Sequence, residues 1–306
     1  MTALRIGTRG SALALWQARA VGDALQRAGV RFELVIITTH GDIRLDAPLS
    51  SIGGKGVFVT EIHDALLRGE IDLAVHSAKD MAAVSPGGLM IAAVLPREDP
   101  RDAWILPAWR ADSPDCTSGF ADEAAIGTGS PRRIAQLRRY HPRARFESIR
   151  GNVDTRLRKL DAGGVDALVL ACAGLRRLGL GERISRPIPV DECVPAPGQG
   201  IIAIEVRAGD AQTGAPVAAL NDPRAFTALA AEQAVVAALG GGCQLPLGVL
   251  AEVEAGEIRL RAVAASFDGS RIVSAHATGH PGEAVETGRR LARDLASRGA
   301  MELLHS

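Results

Sequence analysis

The sequence predicts an α/β protein: two α/β lobes joined by a hinge, followed by a small C-terminal α+β unit. Three observations carry this. From residue 4 to about residue 190, short apolar runs alternate with segments of helical period. A proline-rich return (Pro187, Pro189, Pro195, Pro197) then leads into an apolar strand, 201–206, better suited to the first lobe than to the second. After Gly214 the strands are grouped between two helices instead of alternating with them. The expected division is 1–97 with 197–214, then 98–196, then 215–306.

Taken in order, 4–8 reads as a strand, and Ser11 offers an N-cap to a helix carrying Leu13, Leu15, Trp16, Val21 and Leu25 that ends near Gly29. Residues 32–38 form a β-branched strand, 57–68 a helix, and 71–75 and 90–95 two further strands. Strands separated by helices of this length imply parallel crossovers. Between them, 40–56 with Gly53, Gly54 and Gly56 is long for a connection, which suggests a flap. In the second lobe the expected order is strand 124–127, helix 131–140, strand 145–149, helix 153–162 and strand 165–171. In the third unit a helix at 223–239 precedes a hairpin, 247–253 and 258–266, around Ala255–Gly256. A strand at 271–277 and a helix at 282–298 complete it.

The 306 residues balance 35 basic against 35 acidic side chains, which argues against a nucleic-acid coat or a membrane-surface protein. Three Trp, one Tyr and six Phe offer no stacking platform for RNA. Nothing resembles a signal peptide or a run of about 18 apolar residues, so the expected setting is a reducing cytosol. The four cysteines, at 116, 172, 193 and 243, are too sparse for a disulfide framework and too widely spaced for a zinc motif. No metal site is expected.

The neutral total hides an asymmetry. Between Arg132 and Lys159 lie ten basic residues, opposed only by Glu147 and Asp154. Lys55, Lys79 and Lys159 are the only lysines, so the planar guanidinium, which grips carboxylates and phosphates in pairs of hydrogen bonds, dominates the chain. The run Gly127-Thr-Gly-Ser-Pro-Arg-Arg leaves a strand and opens a helix, with Ser130 at the N-cap and Pro131 in the first turn. That brings free N–H groups toward whatever Arg132 and Arg133 approach. Thr8-Arg9-Gly10-Ser11 repeats the arrangement. His76-Ser77-Ala78-Lys79-Asp80 follows an apolar strand and presents a carboxylate beside a cation. An acid there can stabilise a developing cation or exchange a proton. Finally, Gly240-Gly-Gly-Cys-Gln-Leu-Pro strips side chains from one approach to Cys243, which suits a nucleophile or a covalent attachment point. Cys172, among Leu170, Ala171 and Ala173, reads as core packing.

Eight stretches in one order, RIGTRGSALALWQA, GGKGVF, VHSAKD, IGTGSPRR, IRGNVDTRL, AGLRRLGL, PGQG and GGGCQLPLG, resemble the porphobilinogen deaminase (hydroxymethylbilane synthase) family over essentially the whole chain. The resemblance implies three domains, the first two like a periplasmic binding protein. It implies a cytoplasmic, monomeric transferase of tetrapyrrole (heme) biosynthesis. Such an enzyme joins four molecules of its small-molecule substrate, porphobilinogen, head to tail, releases ammonia each time, and frees hydroxymethylbilane by hydrolysis. The chain would grow on a dipyrromethane cofactor held by a thioether to Cys243. Asp80 matches the catalytic acid, expected to be buried. Lys79, Ser77, Thr128, Ser130, Arg132, Arg133 and Arg156 match cofactor-binding positions. Arg9, Ser11, Arg150, Arg177 and Gln199 match substrate-binding positions, and Lys55 and Phe58 the flap. Departures from the family pattern are Ala78 for Met, Met81-Ala82 for the pair after the acid, Thr60 for a lysine, and Pro131 for an apolar residue. The competing reading is a two-lobed binding module for a carboxylate or phosphate ligand, which leaves the Gly-Gly-Gly-Cys loop unexplained.

Overall fold

The computed structural model describes residues 3–39, 59–110, 123–241 and 244–305. The flap residues Lys55 and Phe58, the glycines between 40 and 56, Cys116 and Cys243 lie outside them. The chain opens with β1 (Leu4–Thr8), α1 (Ala12–Arg27), β2 (Phe32–Ile36), α2 (Thr60–Leu67), β3 (Leu73–Ser77) and β4 (Leu89–Val94). It continues through β5 (Asp102–Ile105), β6 (Ala125–Gly127), α3 (Pro131–Leu137), β7 (Arg145–Glu147), α4 (Val153–Asp161), β8 (Ala167–Ala171), α5 (Cys172–Arg177) and β9 (Arg186–Pro187). Then β10 (Ile202–Arg207) returns, and α6 (Ala211–Ala218), α7 (Pro223–Ala238), β11 (Leu247–Glu254), β12 (Glu257–Ala265), β13 (Ile272–Gly279), α8 (Ala284–Ser297) and α9 (Ala300–His305) finish the chain.

Two five-stranded sheets form the lobes, in the orders β2-β1-β3-β10-β4 and β7-β6-β8-β5-β9, and β11-β12-β13 forms a third sheet. As its apolar character suggests, β10 lies in the first sheet, between β3 and β4. The expected parallel crossovers join β1 to β2 and β3, and β6 to β7 and β8, but both sheets are mixed. β10 runs antiparallel to both neighbours, and β5 runs antiparallel to β8 and β9. Each of these strands arrives from the other lobe, so no crossover helix sets its direction. The short β5 and the helices α5 and α6 were not anticipated. Six residues, or eight interrupted by Pro216, carry too little helical period to be seen.

The cores follow the strand pattern. Ile6, Val21, Leu25, Leu73, Val75 and Ile204 pack α1 against the first sheet. The second sheet is covered on one side by Leu157, Leu160 and Leu175 and on the other by Trp104, Ile126 and Leu137. In the third unit α7 and α8 cover one face through Val235, Leu239, Leu291 and Leu295. Two connections join the lobes, 95–101 and 188–201. Arg97 on the first and the Gly198 N–H on the second both donate to Glu232 of α7, at 2.6 and 2.5 Å. The Ala251 N–H of β11 donates to the same fully buried carboxylate.

Candidate active site

A cleft of about 460 Å³ opens where the carboxyl ends of β1, β3, β6 and β8 meet the second connection and the third unit. In sheets of this kind that is where ligands bind. Among the described residues, Arg9, Lys79, Arg132, Arg133, Arg150 and Arg156 line it, against only Asp80 and Asp154. Of the side chains singled out from sequence, Ser11, Ser77, Ser130 and Gln199 also reach its wall.

Each wall element has a local cause. Ser11 caps α1 by accepting from the Ala14 N–H at 3.3 Å, which fixes the turn that carries Arg9. Ser77 ends β3 and is held by the Gln17 amide of α1 at 2.8 Å. A single 3₁₀ turn, Ala78–Asp80, then carries Lys79 and Asp80 into the cleft. The turn packs on the Pro197-Gly-Gln-Gly loop so closely that a Cβ at Gly198, whose φ is +73°, would stand 2.9 Å from the Ala78 carbonyl carbon. Gly200, at φ +88°, touches the Glu98 backbone in the same way. Those two contacts account for both glycines of the PGQG motif. Asp80 is exposed, contrary to the expected buried carboxylate, because the turn carries it past the strand end into open cleft.

The residue that sequence reasoning missed is Asp102. It heads β5, has no exposed surface, and binds both arginines of the strand–helix turn. Arg132 Nη1 donates to Oδ2 at 2.7 Å, and Arg133 donates to Oδ1 from Nε at 3.0 Å and Nη2 at 2.7 Å. Gln199 Nε2 adds a fourth N–H donor at 3.0 Å. Despite desolvation, the two guanidinium groups hold the Asp102 carboxyl far below the usual carboxylate range. Arg133 uses all three nitrogens on the fold, with Nη1 on the Val169 carbonyl, and Arg132 uses Nη1 on Asp102, Cys193 and Val194, while both side chains still line the cleft. An acid at the start of an apolar run, Asp-Ala-Trp-Ile, in an arginine-rich chain was the available signal.

Crowding of like charge marks the rest of the wall. Burial, then Arg133 and Arg150, push the Arg156 guanidinium down to about 10, and Asp80 works against them. Lys79 is pushed down mainly by desolvation, with Arg133 and Arg132 adding to it and Asp80 and Asp102 opposing. A bound carboxylate would relieve both.

Two expected residues stay out of the cleft wall. Thr128 is wholly buried, its N–H on the Glu147 carbonyl and its hydroxyl oxygen accepting from the Ser130 N–H. Arg177 turns to the Gly200 carbonyl at 2.6 Å and lies 5.9 Å from the Trp16 ring, bracing the connection between lobes. Ser130 stands at the N-cap of α3 but makes no side-chain cap bond, so its hydroxyl faces the cleft. Cys172 and Cys193 are buried, and burial pushes both thiols up to about 12, as packing residues require. Gln244 and Leu245, directly after position 243, line the cleft.

This donor set suits a dipyrromethane. The carboxylate arms of such a group need several cations at close spacing, outnumbering the acids beside them. Arg132, Arg150, Arg156 and Lys79 provide that, and the chain enters the cleft immediately after Cys243.

Comparisons with known proteins agree. Residues 4–215 match the family model for the porphobilinogen deaminase dipyrromethane cofactor-binding domain, and residues 226–297 match that for the porphobilinogen deaminase C-terminal domain. The chain is 45% identical to porphobilinogen deaminase of Syntrophomonas wolfei, over 99% of this chain and 98% of that one. It is 45% identical to that of Acidithiobacillus ferrooxidans, over 98% and 97%. Among solved structures it overlaps a methionine-binding protein, MetQ, at 12% identity and a TM-score of 0.45, over 73% of this chain and 89% of that one. That likeness is too distant to bear on fold or function. Among the described residues no helix is long and apolar enough to cross a membrane. The chain belongs to the porphobilinogen deaminase family, enzymes of tetrapyrrole synthesis with a dipyrromethane cofactor-binding domain.

Proposed function

We propose that this protein is a cytoplasmic, monomeric transferase that joins four porphobilinogen molecules head to tail, releasing ammonia at each step and hydroxymethylbilane at the end. The observation that carries the reading is Asp80, set just past a strand end in a cleft whose charged lining is mostly arginine and lysine. When bound through a thioether to Cys243, the dipyrromethane supplies the pyrrole carbon on which the chain is begun. Lys79, Ser77, Ser130, Arg132 and Arg156 are the residues assigned to hold it, with Arg133 acting through Asp102. Arg9, Ser11, Arg150 and Gln199 are assigned to the incoming substrate. The presence of three separate sheets supports a three-domain division at 97/98, 196/197 and 214/215.

The roles follow from charge. Each pyrrole brings two carboxylate arms, so paired guanidinium hydrogen bonds set the register of each ring. Asp80 gives a proton to the leaving amine as the C–N bond breaks and the bonding pair departs with nitrogen. The resulting carboxylate faces the azafulvene cation left on the substrate, then takes the proton from the pyrrole carbon after the new C–C bond has formed. Its exposure in the open cleft lets it serve ring after ring.

The test is the intact mass of the denatured protein, wild type beside Cys243→Ser, before and after incubation with porphobilinogen. An added mass of two linked pyrrole units in wild type alone supports the reading. Unmodified wild type after incubation sinks it in favour of a binding module.

A further inference from the structure

On the other face of the first sheet, none of it lining the cleft, three side chains converge that the mechanism does not use. Strand alternation turns His76 away from Ser77 and α1, toward α2. The antiparallel register sets His76 opposite Ala203, which puts Glu205 of β10 diagonally beside it on the same face. The buried side of α2 contributes His63. His63 Nε2 lies 2.9 Å and His76 Nε2 3.4 Å from the same oxygen, Glu205 Oε2, and the three donor atoms all fall within 4.8 Å of one another.

The trio is buried yet incompletely paired. Glu205 has no exposed side-chain surface and His76 only 3%, while 10% at His63 leaves an entry from the α2 side. Both Nε2 atoms and both Glu205 oxygens are buried without a hydrogen bond of normal geometry. A buried carboxylate requires positive charge, and among the described residues no arginine or lysine pairs with Glu205. Ligands about 2.0–2.2 Å from a tetrahedral zinc stand roughly 3.3 Å apart, so the two measured spacings bracket that of a filled site.

We infer that His63, His76 and Glu205 form a binding site for a divalent cation of the zinc class. Two imidazoles with one carboxylate favour zinc or cobalt over magnesium or calcium, which take all-oxygen shells. The ion would tie α2 to β3 and β10 just upstream of the turn that carries Asp80, making it a structural staple rather than part of the chemistry. The alternative occupant is a proton shared between a histidine and Glu205.

The experiment uses the full chain with its cofactor, freed of metal by a chelator and titrated with Co(II). Expected are one cobalt per chain, visible ligand-field bands without a thiolate charge-transfer band, and a rise in Tm on adding Zn(II). His63→Ala and Glu205→Gln should weaken uptake by at least about 10–100-fold, the range that loss of even an outer partner costs, and abolish the Tm rise. Cys243→Ser should leave it intact. Should the variants not fold, the wild-type titration decides alone. Failure of wild type to take up cobalt at micromolar concentration, uptake unchanged in His63→Ala, or bands that vanish with Cys243→Ser would each overturn the assignment.

Discussion

Replacing Asp102 by Asn removes one charge and almost no volume, which isolates what that charge does. Two guanidinium groups, 4% and 7% exposed, lose the carboxylate that both contact. Breaking a buried ion pair from one side costs about 3–5 kcal/mol, because the surviving charge is stranded. The amide keeps an acceptor oxygen, so the lower end, about 3 kcal/mol, is expected. For a large chain whose units unfold together, about 2–4 °C of Tm per kcal/mol places the loss at roughly 6 °C or more. Thermal unfolding by circular dichroism measures it, and pH adds a second signature. Asp102 titrates lower folded than unfolded, so its contribution is complete above the unfolded carboxylate value of about 4 and fades as pH falls through the depressed folded value. The gap between wild type and D102N should therefore be flat from neutral pH down to about 5 and narrow only in stronger acid. A D102N protein melting within 2 °C of wild type at pH 7 (at most about 1 kcal/mol by the same conversion) would refute the account of Asp102 as the anchor of the arginine pair.

Three further outcomes are expected. Asp80→Asn, at an exposed position, should leave Tm unchanged while turnover falls roughly 100- to 10,000-fold, measured as ammonia release; ordinary turnover would remove the acid–base role. Gly198→Ala should cost about 1–3 kcal/mol in denaturant titration, from left-handed backbone and the contact with Ala78, and should raise KM by shifting the Lys79–Asp80 turn. Glu232→Ala should cost about 3–5 kcal/mol and split the guanidinium unfolding curve, as the third unit loses its hold on both connections; one sharp transition near the wild-type midpoint would contradict that.

Much of the fold was legible because its signals are local. The N-cap at Ser11, the strand–helix turn at Ser130-Pro131 and the period of α1 and α7 all lie within one element and its flank. Asp80 stands out as a candidate for the same reason, as an acid one turn past an apolar strand. What escaped depends on partners distant in sequence. Arg132 and Arg133 look like free anion ligands on paper, and the carboxylate that ties both of them to β5 lies 30 and 31 residues away. Arg177 reads as an anion ligand, and its contact with the Gly200 carbonyl, 23 residues on, is just as invisible in sequence. The antiparallel course of β5 and β10 was hidden likewise, since strand direction is set by the lobe a strand comes from.

The Glu232 clasp bears on how such a chain can be cut and rejoined. Excising residues after 214 would leave Arg97, 13% exposed, without a counter-charge, and would strip the Gly198 N–H of its acceptor, at the two places where the lobes connect. The two lobes are therefore not a ready-made module to which a third was appended, and a chimera that swaps the C-terminal unit must carry an acid at the position of Glu232 or lose the joint itself.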